Sequence, residues 1–440
     1  MMFHQLDLGK YTLPPITKIS IHMTHVRFRE DFTISGGSPG GAFQPILIRV
    51  HGEDGITGVA SLDNFPGSTY DAHGTSISWV HLVEEYVPKL ASYINGARDV
   101  TVFDIHEMLH GTRGANPFVT SSLEMAFWDL LGRHARKPCH ELFREVFSAI
   151  IASHGGNMPA SSEEMVEKRL RSGLPSKISI GIKDRYYKYD SIILNGVQKG
   201  INTFKLKITP ESRYNTGLLE YITSSFPDIK IDTDANASFT PQVGLMGKLD
   251  VEDMKKIYVH MESFNIRMHE QPSISDGPHW QILEELQDGL TTPMCPDESI
   301  HGLHDVQQLC KMARETGKMH YMNLKIHRTG GILNCIKALA ITCLHGALNL
   351  EARVIPWGGY MPDQPISTNA LLHLFTCPVE TCETDATDHD YWFTDTFCNE
   401  RHEVTGGHVK IIKGDGLGVS IKLDKLHRIQ LKRKVFKDFS

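Results

Sequence analysis

NTFKLKI (202–208), DIKIDTDA (228–235), NIRMHE (265–270), PMCPDE (293–298) and MHYMNLKI (319–326) are five short apolar runs, each ending on ionisable residues. Helical stretches separate them. KISIGI (177–182) upstream, with NLEARVIPW (349–357) and CPVETCE (377–383) downstream, extends the series to eight strand starts over about 200 residues. An eight-fold (β/α) barrel runs to roughly 250 residues, about 30 per unit, and fits this rhythm better than an open six-stranded sheet. The predicted fold class is α/β, a TIM-type barrel.

Outside the repeat, ITKISIHMTHVRF (16–28) and AFQPILIRVHG (42–52) alternate apolar and polar residues and predict strands, joined by the turn-rich EDFTISGGSPGG (30–41). Helices are predicted near 75–95, 101–111 and 119–135. Strands followed by helices describe an α+β module of about 150 residues. GHVKIIKGDGLGVSIKLDKL (407–426) carries a Gly-rich turn between strand-like runs and is expected to pack back on that module. The basic LHRIQLKRKVFKDFS (426–440) reads as a solvated or packed end.

At 440 residues and 40% apolar, the chain has the material for two or three domains. Its 45 basic residues are mixed with 52 acidic ones, net −7, which leaves no basic surface for nucleic acid. The first residues, MMFHQLDLGKYTLPP, lack an apolar core of signal-peptide length, and no stretch approaches the roughly 18 apolar residues of a membrane helix. A cytoplasmic protein without membrane association is expected. Eight dispersed cysteines lack zinc-ribbon spacing and read as reduced core thiols, and the 24 histidines read as surface or hydrogen-bonded residues.

Barrels of this kind place active sites at the C-terminal ends of their strands. Those ends here offer Lys205 and Lys207, Asp232 and Asp234 with Asn236, Glu270, Asp297 with Glu298, and Lys325, at intervals from Lys207 of 27, 36, 27 and 28 residues. Singly, each has a plainer reading: a KxK pair is more often a solvated strand face, and DxDxN or PDES an ordinary turn or N-cap. The common register changes that balance. Three carboxylates on adjacent strand ends repel one another unless a cation sits among them, and an all-oxygen donor set suits Mg²⁺, with Mn²⁺ as the alternative.

If Asp234, Glu270 and Asp297 hold that ion, a substrate carboxylate completes its shell and the charge of an enolate is offset where it develops. A lysine base then needs a lowered pKa. Lys205 and Lys207 share a strand face about 7 Å apart, where an effective dielectric of about 20 gives roughly 2.4 kcal/mol of repulsion, nearly two pKa units. Strands two and six lie on opposite sides of an eight-stranded barrel, so Lys207 and Lys325 face each other across a substrate.

These motifs, FKLKI (204–208), DTDAN (232–236), HEQP (269–272), TPMCPDESI (292–300) and NLKIHRTGG (323–331), resemble the enolase superfamily and its muconate-lactonizing-enzyme subgroup. SSLEMAFWDLLGRHARKPCHELF (121–143) resembles that superfamily's capping-domain helix and GDGLGVSI (414–421) its C-terminal segment. The resemblance implies a modified enolase barrel at 175–395, an α+β cap at 1–174 and a C-terminal segment at 396–440 returning to the cap. It matches Asp234, Glu270 and Asp297 to metal ligands, Lys207 and Lys325 to the acid/base pair, Lys205 to the auxiliary lysine, and Asn236 and Glu298 to positions beside the metal. Asp232 reads as a solvated strand residue, and His327 and Arg328 as ordinary loop residues.

WGGYMPD (357–363) resembles the strand-seven region of the N-acylamino-acid racemase and o-succinylbenzoate synthase branch, making Trp357 and Asp363 candidates against substrate or behind the metal. Tyr360 interrupts that pattern, and Asp363 stands where Glu is usual. TDATDHD (384–390) falls late and turn-like, which counts against a dipeptide epimerase. The cap loops FTISGGSPGG (32–41) and LDNFPGSTYD (62–71) suit lids, while the stretch 238–264 is longer than the subgroup's norm. The implied activity is Mg-dependent abstraction of the proton α to a small-molecule carboxylate through a metal-stabilised enolate, foremost as a racemase or epimerase of an amino-acid derivative. A cycloisomerase or syn-dehydratase uses the same half-reaction, and a non-catalytic scaffold ranks last. The family analogy further implies a homo-oligomer, dimer or octamer.

Overall fold

The computed structural model describes residues 6–30, 32–34, 42–67, 72–111, 114–158, 161–239, 251–273, 279–359, 362–437 and 439. Three N-terminal strands, β1 (Ile16–Thr24), β2 (Ile46–Gly52) and β3 (Thr57–Leu62), pair antiparallel in chain order. The tail supplies the fourth: Gln430–Phe436 pairs with the free edge of β1, so the basic end is a strand of the sheet. Its lysines blunt the edge it leaves open.

Two helices cover this sheet's module. α1 (Val102–His110) starts at a capping box, Thr101 accepting from the Asp104 amide while Asp104 accepts from that of Thr101. α2 (Pro117–His134) begins with Asn116 accepting from the Phe118 and Val119 amides, and a proline at its first position. From Phe118 to Gly132 every residue of α2 is buried, because sheet and barrel enclose it from opposite sides.

The barrel follows as β4 (Ile178–Ile180), β5 (Thr203–Lys207), β6 (Lys230–Asp234), β7 (Ile266–Glu270), β8 (Met294–Cys295), β9 (His320–Leu324) and β10 (Val354–Gly358). β4 to β8 form one continuous parallel sheet, and β9 pairs with β10. The Asn323 amide donates to the Pro296 carbonyl at 3.0 Å and links the two groups. Closure comes at Thr384 and Asp385. The Lys177 amide donates to Thr384 at 2.9 Å, and the Asp385 amide donates to Gly358 at 3.0 Å. The expected eighth strand at 377–383 is therefore displaced, and a single bridge at Thr384 takes its place. Arg169 explains the shift, since its guanidinium binds the carbonyls of Phe375, Cys377 and Val379 and holds that stretch as a turn. The 238–264 stretch contains the crossover helix Val251–Met261, while residues 240–250 lie outside the described residues.

Where β3 meets α2 the two backbones touch. A Cβ on Gly58 would stand 2.2 Å from the Ala126 carbonyl oxygen and 2.6 Å from the Leu130 amide nitrogen. Neither atom belongs to a side chain that can swing away. Gly58→Ala is therefore expected to cost about 1–3 kcal/mol, the range for overpacking. A lowered thermal midpoint by circular dichroism is the expected reading, and an unchanged midpoint would contradict this packing.

Candidate active site

Parallel pairing sets the site's geometry. Lys207 is in register with Asp234, Asp234 with Glu270, and Glu270 with Cys295 two residues before Asp297. Side chains two apart on a strand share a face. Lys205 and Lys207 thus both point inward, at 3% and 5% exposure, as do Asp232 and Asp234. All eight residues expected to act with or beside the metal, Lys205, Lys207, Asp234, Asn236, Glu270, Asp297, Glu298 and Lys325, come together at the barrel mouth.

The charges there are tightly matched. The Lys205 ammonium lies 2.8 Å from Asp385, 3.0 Å from Glu270 and 3.6 Å from Asp234. Lys207 donates to Asp234 at 2.6 Å, and Lys325 to Asp297 at 2.7 Å. Arg328 binds the other Asp297 oxygen at 2.5 Å, so it is no ordinary loop residue. Asn323 donates to Glu270 at 2.8 Å and Asn236 to Glu298 at 3.1 Å. Burial disfavours the Lys205 charge, but Asp385, Glu270 and Asp234 together hold its pKa well above the usual lysine value. For Lys205 this runs against the lowering expected from its repulsion with Lys207 and a nearby cation, which left out the pull of these carboxylates.

Glu270 differs from its neighbours. Burial, then Asp234, Asp297 and Asp385, push its carboxyl above the usual range against the pull of Lys205. Its Oε2, Asn236 Oδ1 and Glu298 Oε2 are buried without hydrogen bonds. Among the described residues five carboxylates (Asp234, Glu270, Asp297, Glu298 and Asp385) face four cations (Lys205, Lys207, Lys325 and Arg328), an excess of one carboxylate. Oxygens outside any hydrogen bond, of which Glu270 Oε2 is held only by the Lys205 ion pair at 3.0 Å, together with surplus negative charge and no nitrogen or sulfur donor among them, fit a hard divalent cation. In this structure lysine ammonium groups stand between the carboxylates. The groups whose donor atoms lie within 4.8 Å of one another, among the described residues, are Asp63, His327 and Asp363, and His106, His110 and Glu124.

Other residues fall elsewhere than expected. Asp232 is fully buried, bound by Lys177 at 3.1 Å and by Arg267 at 2.5 and 2.8 Å. It belongs to an ionic layer beneath the site, because an inward strand position in a closed barrel has no access to water. Trp357 lies between these layers, with the Lys177 ammonium 3.3 Å and that of Lys205 4.9 Å from its ring. It supports Lys205 from below and does not line the cavity. Asp363 is buried beside Lys325 and His327, with one oxygen lacking a hydrogen bond, and burial pushes its pKa well up. His327 is buried too, stacked on Phe118 and bonded to Ser121.

The residue that sequence reasoning missed is Asp385. It sits in TDATDHD, the stretch set aside as turn-like, and one bridged residue before it leaves no strand periodicity to detect. Above the charged floor is a cavity of about 60 Å³ whose upper wall is Phe32, Ile34, Phe65, Pro362 and Trp392. The cap loops thus reach the site, while residues 35–41 and 68–71, with Tyr360, lie outside the described residues.

A model of the family described as "Enolase C-terminal domain-like" matches residues 194–425, over half the chain. The chain belongs to the enolase superfamily. An o-succinylbenzoate synthase of Geobacillus stearothermophilus is 26% identical over 398 residues, 89% of this chain and 90% of its own. An N-succinylamino acid racemase of Thermus thermophilus is 25% identical over 331 residues, 74% of this chain and 75% of its own. A probable mandelate racemase of Alicyclobacillus acidocaldarius superposes with a TM-score of 0.75 at 23% identity, over 97% of this chain and 100% of that one, and shows the same fold. This enolase-superfamily chain is accordingly an enzyme of the isomerase or lyase kind, in a family that employs a divalent metal.

Asn323 holds Glu270 without a charge of its own, and Gly359 leaves it the room: a Cβ there would overlap the Asn323 amide oxygen at 1.4 Å. Loss of such a ligand-orienting hydrogen bond typically weakens metal binding about 10- to 100-fold. Asn323→Ala is expected to weaken Mg²⁺ by that factor in calorimetric titration, and Asp297→Asn by more. Wild-type affinity in both would remove Mg²⁺ from this site.

Proposed function

We propose that this enzyme removes the proton α to the carboxylate of a small amino-acid derivative and returns one on the opposite face, as a racemase or epimerase in the cytoplasm. The observation that carries the reading is that Lys207 and Lys325, from the second and sixth barrel strands, line one cavity while each is paired to a different carboxylate. Asp234, Glu270 and Asp297 would hold Mg²⁺, which when bound would offset the charge developing on the substrate carboxylate. Lys207 or Lys325, as free amine, then takes the α-proton, and the opposed ammonium supplies the other face. Lys205 keeps Glu270 and Asp234 in place, and Arg328 orients Asp297. Phe32, Ile34, Phe65 and Trp392 keep water from the reacting carbon and receive the substrate's apolar part.

A second reading keeps the proton abstraction and ends in β-elimination, as a syn-dehydratase. The several relatives named o-succinylbenzoate synthase favour it. Elimination uses one lysine as base and the other as a cation beside the enolate.

Proton NMR in D₂O with Mg²⁺ separates these readings over a panel of N-acylamino and N-succinylamino acids, dipeptides and o-succinylbenzoate precursors. The expected result is loss of an α-proton signal that EDTA stops. Lys207→Ala and Lys325→Ala are each expected to reduce exchange by at least about 10²- to 10⁴-fold, the contribution of a positioned acid or base, with unchanged circular dichroism. Full exchange in both variants would sink the two-lysine assignment.

A further inference from the structure

Away from the barrel mouth the sequence runs His106-Glu107-Met108-Leu109-His110, an H-E-x-x-H spacing that puts two imidazoles one turn apart on one helix face. The reading of the histidines as surface or hydrogen-bonded residues with no H-E-x-x-H pair among them is wrong here. Both lie on α1, with ring centroids 4.3 Å apart, and α2 brings Glu124 against them. Glu124 Oε2 is 2.8 Å from His106 Nδ1 and 3.8 Å from His110 Nε2. His106 and Glu124 are buried, and the His110 side chain is 25% exposed. Glu107 is on the exposed side of the helix and is not among these donors.

Two further observations point to a ligand. His110 Nε2 is itself buried with no hydrogen-bond partner, and 3.8 Å is too long for a bond to Glu124. Nitrogen and oxygen donors at about 2.0–2.1 Å from a tetrahedral zinc stand roughly 3.3–3.4 Å from each other, between the two separations seen here. The carboxylate is also aimed. Its Oε1 accepts from the Leu333 amide at 2.7 Å and the Trp128 indole at 3.2 Å, which turns Oε2 toward the imidazoles. Burial opposes the Glu124 charge, yet His106 and His110 bring its pKa below the carboxylate range. Gly331, at φ 137°, closes the loop over this group, where a Cβ would meet Oε2 at 2.2 Å.

We propose that His106, His110 and Glu124 form a zinc site distinct from the barrel-mouth oxygen site, clamping the cap helices α1 and α2 to the Gly330–Leu333 loop that follows Lys325 and Arg328. Two imidazoles and one carboxylate, with a fourth position open on the His110 side, suit Zn²⁺ and not Mg²⁺. The assignment does not depend on the reaction at the barrel mouth.

The test uses the full chain, stripped with EDTA, saturated with Mg²⁺ to fill the oxygen site and then titrated with ZnCl₂ against a chromophoric chelator. One zinc per chain should bind, with a raised thermal midpoint. Glu270→Gln should bind zinc as the wild type does, whereas His110→Gln should bind at least about tenfold more weakly and lose the rise in midpoint. Co²⁺ in the wild type should give the visible bands of tetrahedral coordination by imidazole nitrogen and carboxylate, a readout that stands even if His110→Gln fails to fold. Absence of zinc binding under Mg²⁺ saturation, or zinc held equally by His110→Gln, would reduce the group to a buried histidine–carboxylate ion pair and overturn the proposal.

Discussion

Lys205 places a nearly dry ammonium among Asp385, Glu270 and Asp234, with distances of 2.8, 3.0 and 3.6 Å. Burying even one such ion costs several kcal/mol unless its partners are fixed, and removing one partner leaves the rest uncompensated. The barrel supplies that fixity. Parallel register levels Lys207, Asp234 and Glu270 on neighbouring strands, and the Thr384 bridge brings Asp385 round to Lys205 from the closing seam. A second ionic layer, Lys177, Asp232, Arg267 and Glu383, lies below, with Trp357 between the layers. The upper layer holds a surplus carboxylate and the Asp232–Lys177–Arg267–Glu383 layer does not. That difference suits the upper layer, and not the lower, to a cation among its carboxylates.

α2 carries the same constraint into the cap. Buried on all sides, it contains two acids that an isolated amphipathic helix would expose. Asp129 accepts from the amides of Val59 and Leu417 and pairs with Arg133, tying β3 to the C-terminal segment. Glu124 binds the Leu333 amide at the start of the helix Ile332–Leu348. These acids take up backbone donors that burial would otherwise leave unpaired, where each would cost about 1–3 kcal/mol. The cap is thus fixed through a side chain to the start of the helix that follows the Arg328-bearing turn Ile326–Thr329.

The part of this design legible in the sequence was the part that repeats. A charged residue at each strand end, recurring at intervals of 27 to 36, survives any uncertainty in strand boundaries, so Lys207, Asp234, Glu270, Asp297 and Lys325 could be found together. Asp385 could not, because its strand is one bridged residue and has no period. Asp232 was misjudged as solvated because alternation along a strand tells in from out only when one face meets water, and a closed barrel hides its interior face entirely. Asn323 has no charge to stand out against a strand. The Lys205 pKa runs opposite to expectation for a related reason: Asp234 and Glu270 were legible but were given to a metal, and Asp385, the strongest of its three partners, was not legible at all.

Specificity follows a different logic from the half-reaction. The floor is made of residues spaced by the barrel's own repeat, whereas the upper wall collects Phe32 and Ile34 from one loop, Phe65 from another, Pro362 after β10, and Trp392 near the end of the barrel. These positions share no period and no register with the lysines. Phe32 packs edge-on against Trp392, with ring centroids 4.9 Å apart, so the wall coheres by aromatic contact, and the Lys207 ammonium lies 5.8 Å from the Phe32 ring centroid where wall meets floor. A change of ring or volume in it reshapes the space above the Lys207–Asp234 and Lys325–Asp297 pairs. Relatives about 25% identical to this chain carry different names, o-succinylbenzoate synthase and N-succinylamino acid racemase, and a wall built apart from the repeat is where such a difference has room to arise.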